Sequence, residues 1–219
     1  MDGPGDAARA SRARALVQRG YDAISRAYRD DQGHAGLDQA EDTDRYAGWI
    51  DELAAVLPGG GAVLDLGCGA GVPTCARLVQ HGFDVTGLDF SAVQIERARA
   101  LVPGASFVQA DMVTWSAPPA TFDAIVSLYA LIHVPVVDQR SLFDRVRHWL
   151  TPGGYFLATV GFERWTGVED YLGAPMFWDH ADEATTLGWM QEVGLEPQWH
   201  RYVSEGDSGH TLVLARRGS

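Results

Sequence analysis

Apolar positions change rhythm along this chain, and the change predicts its architecture. Up to residue 57 they recur at three- and four-residue spacing. Leu16, Val17, Tyr21, Ile24 and Tyr28 fall on one face, which predicts a helix over Ala10–Arg29. Asp30–Thr43 is polar and reads as a loop. Tyr46, Trp49, Ile50, Leu53 and Val56 mark a second helix, Asp44–Leu57, which stops at Pro58-Gly59-Gly60-Gly61. From there short, nearly all-apolar runs alternate with helical stretches. Strand Ala62–Leu66 leads to helix Val72–His81, strand Asp84–Asp89 to helix Ala92–Leu101, and a short strand, Ala105–Gln109, follows. Strand Phe122–Leu128 leads to helix Asp138–Leu150, and Pro152-Gly153-Gly154 turns into strand Tyr155–Val160. This alternation predicts an α/β fold, a doubly wound and mostly parallel sheet covered on both faces. Phe162–His180 reads as an irregular aromatic stretch. Helix Ala181–Val193 and strands Leu195–Val203 and Thr211–Ala215 close the chain, the last pair as an antiparallel hairpin edge of a seven-stranded sheet.

Composition narrows the function classes. With 219 residues the chain fits one domain with a substantial core. No apolar run reaches the roughly 20 residues of a membrane span, and Met1–Arg14 has no apolar stretch of a secretory leader. A cytoplasmic location without membrane contact is therefore expected. The net charge of −12 disfavours a nucleic-acid partner. Arg9, Arg12, Arg14, Arg19, Arg26 and Arg29 read as a solvated face of the first helix. Lysine is absent, which excludes a lysine Schiff base and a P-loop. Asparagine is absent as well, which suggests a GC-rich bacterial genome; the base composition of the source tests that. The two cysteines, Cys68 and Cys75, set up no disulfide framework, and no His/Asp/Glu cluster has metal-ligand spacing.

The chemistry concentrates at Val63-Leu64-Asp65-Leu66-Gly67-Cys68-Gly69-Ala70-Gly71. A buried parallel strand ends in alternate glycines, so a ligand can lie directly on bare main chain at a helix start. A second strand ends in Asp89, 18 residues after Gly71. Together these describe a nucleoside-type cofactor site at the carboxyl ends of parallel strands.

The Asp-x-Gly-x-Gly-x-Gly turn resembles motif I of class I S-adenosylmethionine-dependent methyltransferases rather than the Gly-x-Gly-x-x-Gly dinucleotide fingerprint. Val85–Ser91, Phe107–Met112, Phe122–Ser127 and Leu150–Gly154 resemble further segments of that family, in its order, over residues 46–160. The resemblance implies a Rossmann-like fold with S-adenosylmethionine as cofactor and S-adenosylhomocysteine as product. It implies that Asp65, Gly67, Cys68, Gly69 and Gly71 hold the methionine portion and that Asp89 accepts from both ribose hydroxyls. Phe90 or Met112 would pack on adenine, Asp111 would accept from its amino group, and Leu128 would face the sulfonium. Tyr21 or Tyr28 would close over the cofactor. As plain structure, Asp89 could instead cap the helix from Ala92, and Asp111 could be a turn residue.

A four-part division follows: a helical cover (1–57), a cofactor core (62–160), a substrate lid (161–180), and a C-terminal helix and hairpin (181–219). His133, five residues beyond Leu128, is the candidate general base, with packing or capping as its alternative, and Tyr129 is placed to orient an acceptor. His180, just ahead of a helix, reads as a cap. Trp165, Tyr171, Phe177 and Trp178 suggest a lid over an apolar or planar small-molecule acceptor, with core packing as the rival. Ser127-Leu128-Tyr129-Ala130 lacks the Pro-Pro motif of DNA amino-methylases, and there is no Pro-Cys pair for a cytosine enzyme. The expected activity is methyl transfer to a small organic molecule in the biosynthesis of a bacterial metabolite. A nicotinamide-dependent oxidoreductase and a non-catalytic cofactor-binding protein are the alternatives. Sequence leaves the oligomeric state unassigned.

Overall fold

The computed structural model describes residues 4–31 and 39–218, with backbone alone for residues 4–5 and 39–43. Helices α1 (Pro4–Tyr28) and α2 (Gln39–Ala54) precede the alternating core. That core runs β1 (Ala62–Leu66), α3 (Thr74–Gln80), β2 (Asp84–Asp89), α4 (Ala92–Leu101), β3 (Ser106–Gln109), β4 (Phe122–Ser127), α5 (Val136–Trp149) and β5 (Leu150–Gly161). Then follow β6 (Trp165–Tyr171), β7 (Ala174–His180), α6 (Glu183–Glu192), β8 (Leu195–Glu205) and β9 (Ser208–Arg217). Seven strands form one sheet in the order β3-β2-β1-β4-β5-β9-β8. The pairs from β3 to β5 are parallel, whereas β9 is antiparallel to both β5 and β8. The order reverses between β1 and β4, which opens a crevice at their carboxyl ends.

Hydrophobic clusters on the two sheet faces explain the nearly continuous apolar strands. One face joins Trp49, Ile50 and Leu53 of α2 to Val63, Val85 and Leu78. The other joins Leu142, Phe143, Val146 and Trp149 of α5 to Leu64, Leu66, Ile125 and Phe156. A third cluster sets Val17 and Ile24 of α1 against Ala174 and Met176 of β7. This last contact lays α1 and the β6–β7 hairpin together over the crevice.

Two sequence expectations need correction here. The stretch expected to be irregular, Phe162–His180, is largely an ordered two-stranded hairpin paired from Trp165↔His180 to Tyr171↔Ala174. Its loop residues Leu172 and Gly173 both have positive φ, 54° and 86°, as a type I′ turn requires. The polar segment expected to be a loop to Thr43 contributes the first turn of α2, which opens at Gln39. Gln, Ala and Glu there are good helix formers. Residues 32–38 of that expected loop lie outside the described residues. Among the described residues no helix is long and apolar enough to cross a membrane.

Candidate active site

The register of the sheet builds the site. Leu66 pairs with Leu88, so Gly67 and Asp89 leave adjacent strands side by side. Gly67 N–H donates to Leu88 O at 2.7 Å, and Cys68 N–H to the same oxygen at 3.1 Å. This bends the chain over the end of β2. Gly67 has φ +77°, and a Cβ there would lie 2.3 Å from Ala130 Cβ. Only glycine fits that position. Asp89 is buried, and its carboxylate accepts from Gly69 N–H at 3.0 Å and Ser91 N–H at 2.8 Å. Burial pushes its pKa up to about 6. The helix cap is Ser91, whose hydroxyl accepts from Gln94 N–H, so Asp89 does not serve as the cap.

Asp65 sits beneath the glycine turn, fully buried, with Cys75 Sγ donating to it at 3.2 Å. Burial pushes this carboxyl up to about 7. A raised folded-state pKa means stability present below the ordinary aspartate range and lost as pH rises through about 7. Asp65→Asn is therefore expected to match wild type near pH ~4 and to exceed it by a few kcal/mol near pH ~8. Thermal melts of the two proteins across that window check it. Parallel profiles would refute the ionisation of a buried Asp65.

A cavity of about 60 Å³ runs along this surface, lined by Gly67, Gly69, Asp89, Phe90, Asp111 and Met112. Leu128, Tyr129 and His133 complete its floor, and Tyr21, Tyr28 and Arg14 of α1 roof it. A smaller recess continues it to Asp65 and Cys68. Gly71 lines neither space; it has φ +75°, and a Cβ there would press within 3.2 Å of Phe107 and Val102.

Arg9, Arg12, Arg19 and Arg26 are exposed, as expected of a solvated face, but Arg14 and Arg29 are not. The Arg14 side chain is only 15% exposed; Nε donates to Asp111 Oδ2 at 2.8 Å and Nη1 to Asp138 Oδ2 at 2.5 Å. Arg29 is likewise buried, its guanidinium 4.6 Å from the Tyr46 ring centre. Asp111 also accepts from Val113 N–H at 2.8 Å, which is turn geometry. Gln18 donates to Phe90 O and Ser91 to Asp22, so α1 is tied down at several points.

A second cavity of about 450 Å³ lies beyond the first. Tyr21, Tyr28, Tyr129 and His133 line both. Tyr171 and Trp178 of the hairpin wall the second one, together with Arg45, Glu205 and His210. Those last three were not anticipated, because α2 and the β8–β9 hairpin, which carries Glu205 and His210, meet only in the folded chain. Phe177 lines neither cavity and takes part through its carbonyl. Trp165 faces a third space, described below.

His133 ends a short 3-10 turn, Leu131–His133, and is buried. Its Nδ1 lies 2.6 Å from Phe177 O, and its Nε2 lies 3.0 Å from Tyr21 Oη. A carbonyl only accepts, so Nδ1 carries the proton and Nε2 is the free base, accepting from the Tyr21 hydroxyl. Burial pulls the imidazolium pKa down to about 4. His133 is thus neutral at physiological pH. Tyr129 adopts φ +56°, an unusual backbone for a bulky residue, held by stacking on Tyr46 and a hydrogen bond to Thr159. His180 is the last residue of β7; the cap of α6 is Asp182, which accepts from Thr185 N–H.

Comparison with known proteins agrees with this geometry. A model of the methyltransferase domain family matches residues 63–154. The ubiquinone biosynthesis O-methyltransferase of Paracidovorax citrulli is 30% identical over 198 residues, 78% of this chain and 81% of that protein. The trans-aconitate 2-methyltransferase of the same bacterium is 41% identical over 167 residues, 74% of this chain but only 56% of its own length. A solved S-adenosylmethionine-dependent methyltransferase from Mesorhizobium loti superposes with a TM-score of 0.64 at 27% identity, over 80% of this chain and 100% of that one.

Proposed function

This chain belongs to the class I S-adenosylmethionine-dependent methyltransferases, and from that premise we propose that it methylates a small hydroxylated organic molecule held in the second cavity. Membership decides against the nicotinamide alternative. The observation that carries the proposal is the shared lining: Tyr21, Tyr28, Tyr129 and His133 face both the cofactor crevice and a 450 Å³ chamber. That volume lies within the roughly 300–1,000 Å³ of ordinary ligand pockets.

The cofactor supplies a methyl group already activated on a sulfonium. The remaining tasks fall to this chain. Main chain at Gly67–Gly69 and the Asp65 end of the crevice would hold the methionine portion, and Asp89 the ribose hydroxyls. Phe90 and Met112 would cover adenine and Asp111 would take its amino group. Arg14 occupies the Asp111 carboxylate in this structure, so it would leave Asp111 for the adenine amino group to reach it. Residues 1–57 then act as the cover and the β6–β7 hairpin as the acceptor-side lid.

In the chamber, Tyr129 and the hairpin aromatics would orient a planar acceptor. His133 Nε2 would receive the acceptor's hydroxyl proton once that hydroxyl replaces Tyr21 at the lone pair. The O-methyltransferase activity named for the Paracidovorax citrulli relative favours oxygen as the methylated atom. Biosynthesis of a bacterial metabolite is the setting that fits these features.

The test is calorimetric titration with S-adenosylhomocysteine, then turnover of S-adenosylmethionine against a panel of phenols and catechols. Binding of the product nucleoside with methyl transfer to a phenolic oxygen is expected. Transfer only to carboxylates or amines would overturn the hydroxyl assignment.

A further inference from the structure

A third cavity, about 400 Å³, adjoins the chamber proposed for the acceptor; Trp178 and His210 line both. It sits between the β6–β7 hairpin and the β8–β9 turn and opens outward. Three large aromatic residues line it while remaining nearly half exposed: Phe162 at 40%, Trp165 at 47% and Tyr202 at 49%. Phe162 and Tyr202 meet edge to face, ring centres 4.6 Å apart. Clustered exposed aromatics on one concave surface mark a binding surface, whereas scattered ones do not.

Charge narrows the ligand. Glu163, Glu169 and Asp207 also line this space, and none of them makes an ion pair among the described residues. The only arginine in the lining, Arg164, is committed to Asp179 Oδ1 at 2.8 Å and to the carbonyls of Trp165 and His180. Aromatic faces beside unpaired carboxylates attract a cation: the ring quadrupole and the anionic field act in the same direction. An anionic group would meet those carboxylates and a chain of net charge −12.

We propose that this outer space is a second acceptor subsite, and that the acceptor is elongated, with its reacting ring in the inner chamber and a protonated amine at its far end. This rests on the methyl-transfer reading of the inner chamber. Phe162, Trp165 and Tyr202 supply the platform, and the three carboxylates read the ammonium.

The test uses three probes that share an aryl group and a hexose and differ in charge: phenyl β-D-glucosaminide, phenyl β-D-glucoside and phenyl β-D-glucuronide. Each is titrated calorimetrically into protein saturated with S-adenosylhomocysteine at about pH 6, below the ordinary α-amino range. The glucosaminide is expected to bind about tenfold tighter than the glucoside, with the glucuronide weakest. The combined variant Glu163→Gln, Glu169→Gln, Asp207→Asn should abolish that preference while leaving S-adenosylhomocysteine affinity unchanged. Trp165→Ala should weaken all three glycosides. Equal binding of glucosaminide and glucoside, a preference that survives the triple variant, or no glycoside binding overturns the outer subsite. Phenol alone reads the inner chamber. Phenol binding with no amine preference refutes this subsite and leaves the methyl-transfer reading standing. An intact amine preference with no methyl transfer to any phenol refutes that reading instead.

Discussion

Asp89→Ala is expected to weaken S-adenosylhomocysteine binding by about 10²–10³-fold. The carboxylate accepts from Gly69 and Ser91 N–H and so fixes the glycine turn against the end of β2. On the proposed pose it also takes both ribose hydroxyls. Hydrogen bonds to a charged acceptor contribute about 1.5–3 kcal/mol each, and two of them account for that loss. The alanine also strands two buried N–H groups, so part of its effect would be lost fold. Asp89→Asn separates the two. Its amide keeps the shape but only one acceptor oxygen, so one of the Gly69 and Ser91 N–H groups loses its partner while a donor replaces an acceptor at the ribose. Burial raises the Asp89 pKa to about 6, so the protonated side chain's contribution to stability is present below about pH 4 and declines as pH rises through about 6. The asparagine variant has no such decline. At about pH 8 the relief of the buried charge offsets the lost hydrogen bond, so it should melt close to wild type yet bind the nucleoside at least tenfold more weakly. Calorimetry and thermal melts at that pH check both. A dissociation constant within threefold of wild type would remove Asp89 from the ribose site.

The parallel core was legible because its signals are local. Strand runs such as Val63–Leu66 are apolar on both faces, and the glycine turn follows immediately in sequence. What escaped reading depends on distant partners. The hairpin hid behind a Leu172-Gly173 turn, because leucine rarely takes φ +54° and Asn-Gly or Asp-Gly is the usual marker. Arg14 looked like one of several surface arginines; its burial requires Asp111 and Asp138, 97 and 124 residues away. The wall of Arg45, Glu205 and His210 is likewise assembled from elements far apart in the chain. His133 was locatable by its distance from β4. Its tautomer was not, since that depends on a carbonyl of β7 and a hydroxyl of α1. The carbonyl belongs to the β6–β7 hairpin and the hydroxyl to α1, so two elements packed over the crevice together set which nitrogen of the base is free.

His133→Ala is accordingly expected to lower the methyl-transfer rate by about 10²–10⁴-fold on the phenolic acceptor that turns over best. S-adenosylhomocysteine affinity should change far less, because the proposed cofactor contacts come from other side chains and main chain. The pH profile gives the sharper readout. An unperturbed imidazole would impose an acid limb near pH ~6.5. Burial lowers the His133 pKa to about 4, so Nε2 stays unprotonated through the neutral range and the limb should fall near that value. The same shift makes the folded state disfavour imidazolium, so the histidine's contribution to stability is lost as pH falls from about 6.5 toward about 4. Melts at each pH separate that loss from the catalytic limb. Tyr21→Phe is the companion variant. It removes the hydroxyl that covers Nε2 without removing the base, so its rate should stay within about tenfold of wild type, with the acid limb in place. A His133→Ala enzyme within threefold of wild type from about pH 6 to 9, the range in which general-base loss should be fully expressed, would return this histidine to a packing role.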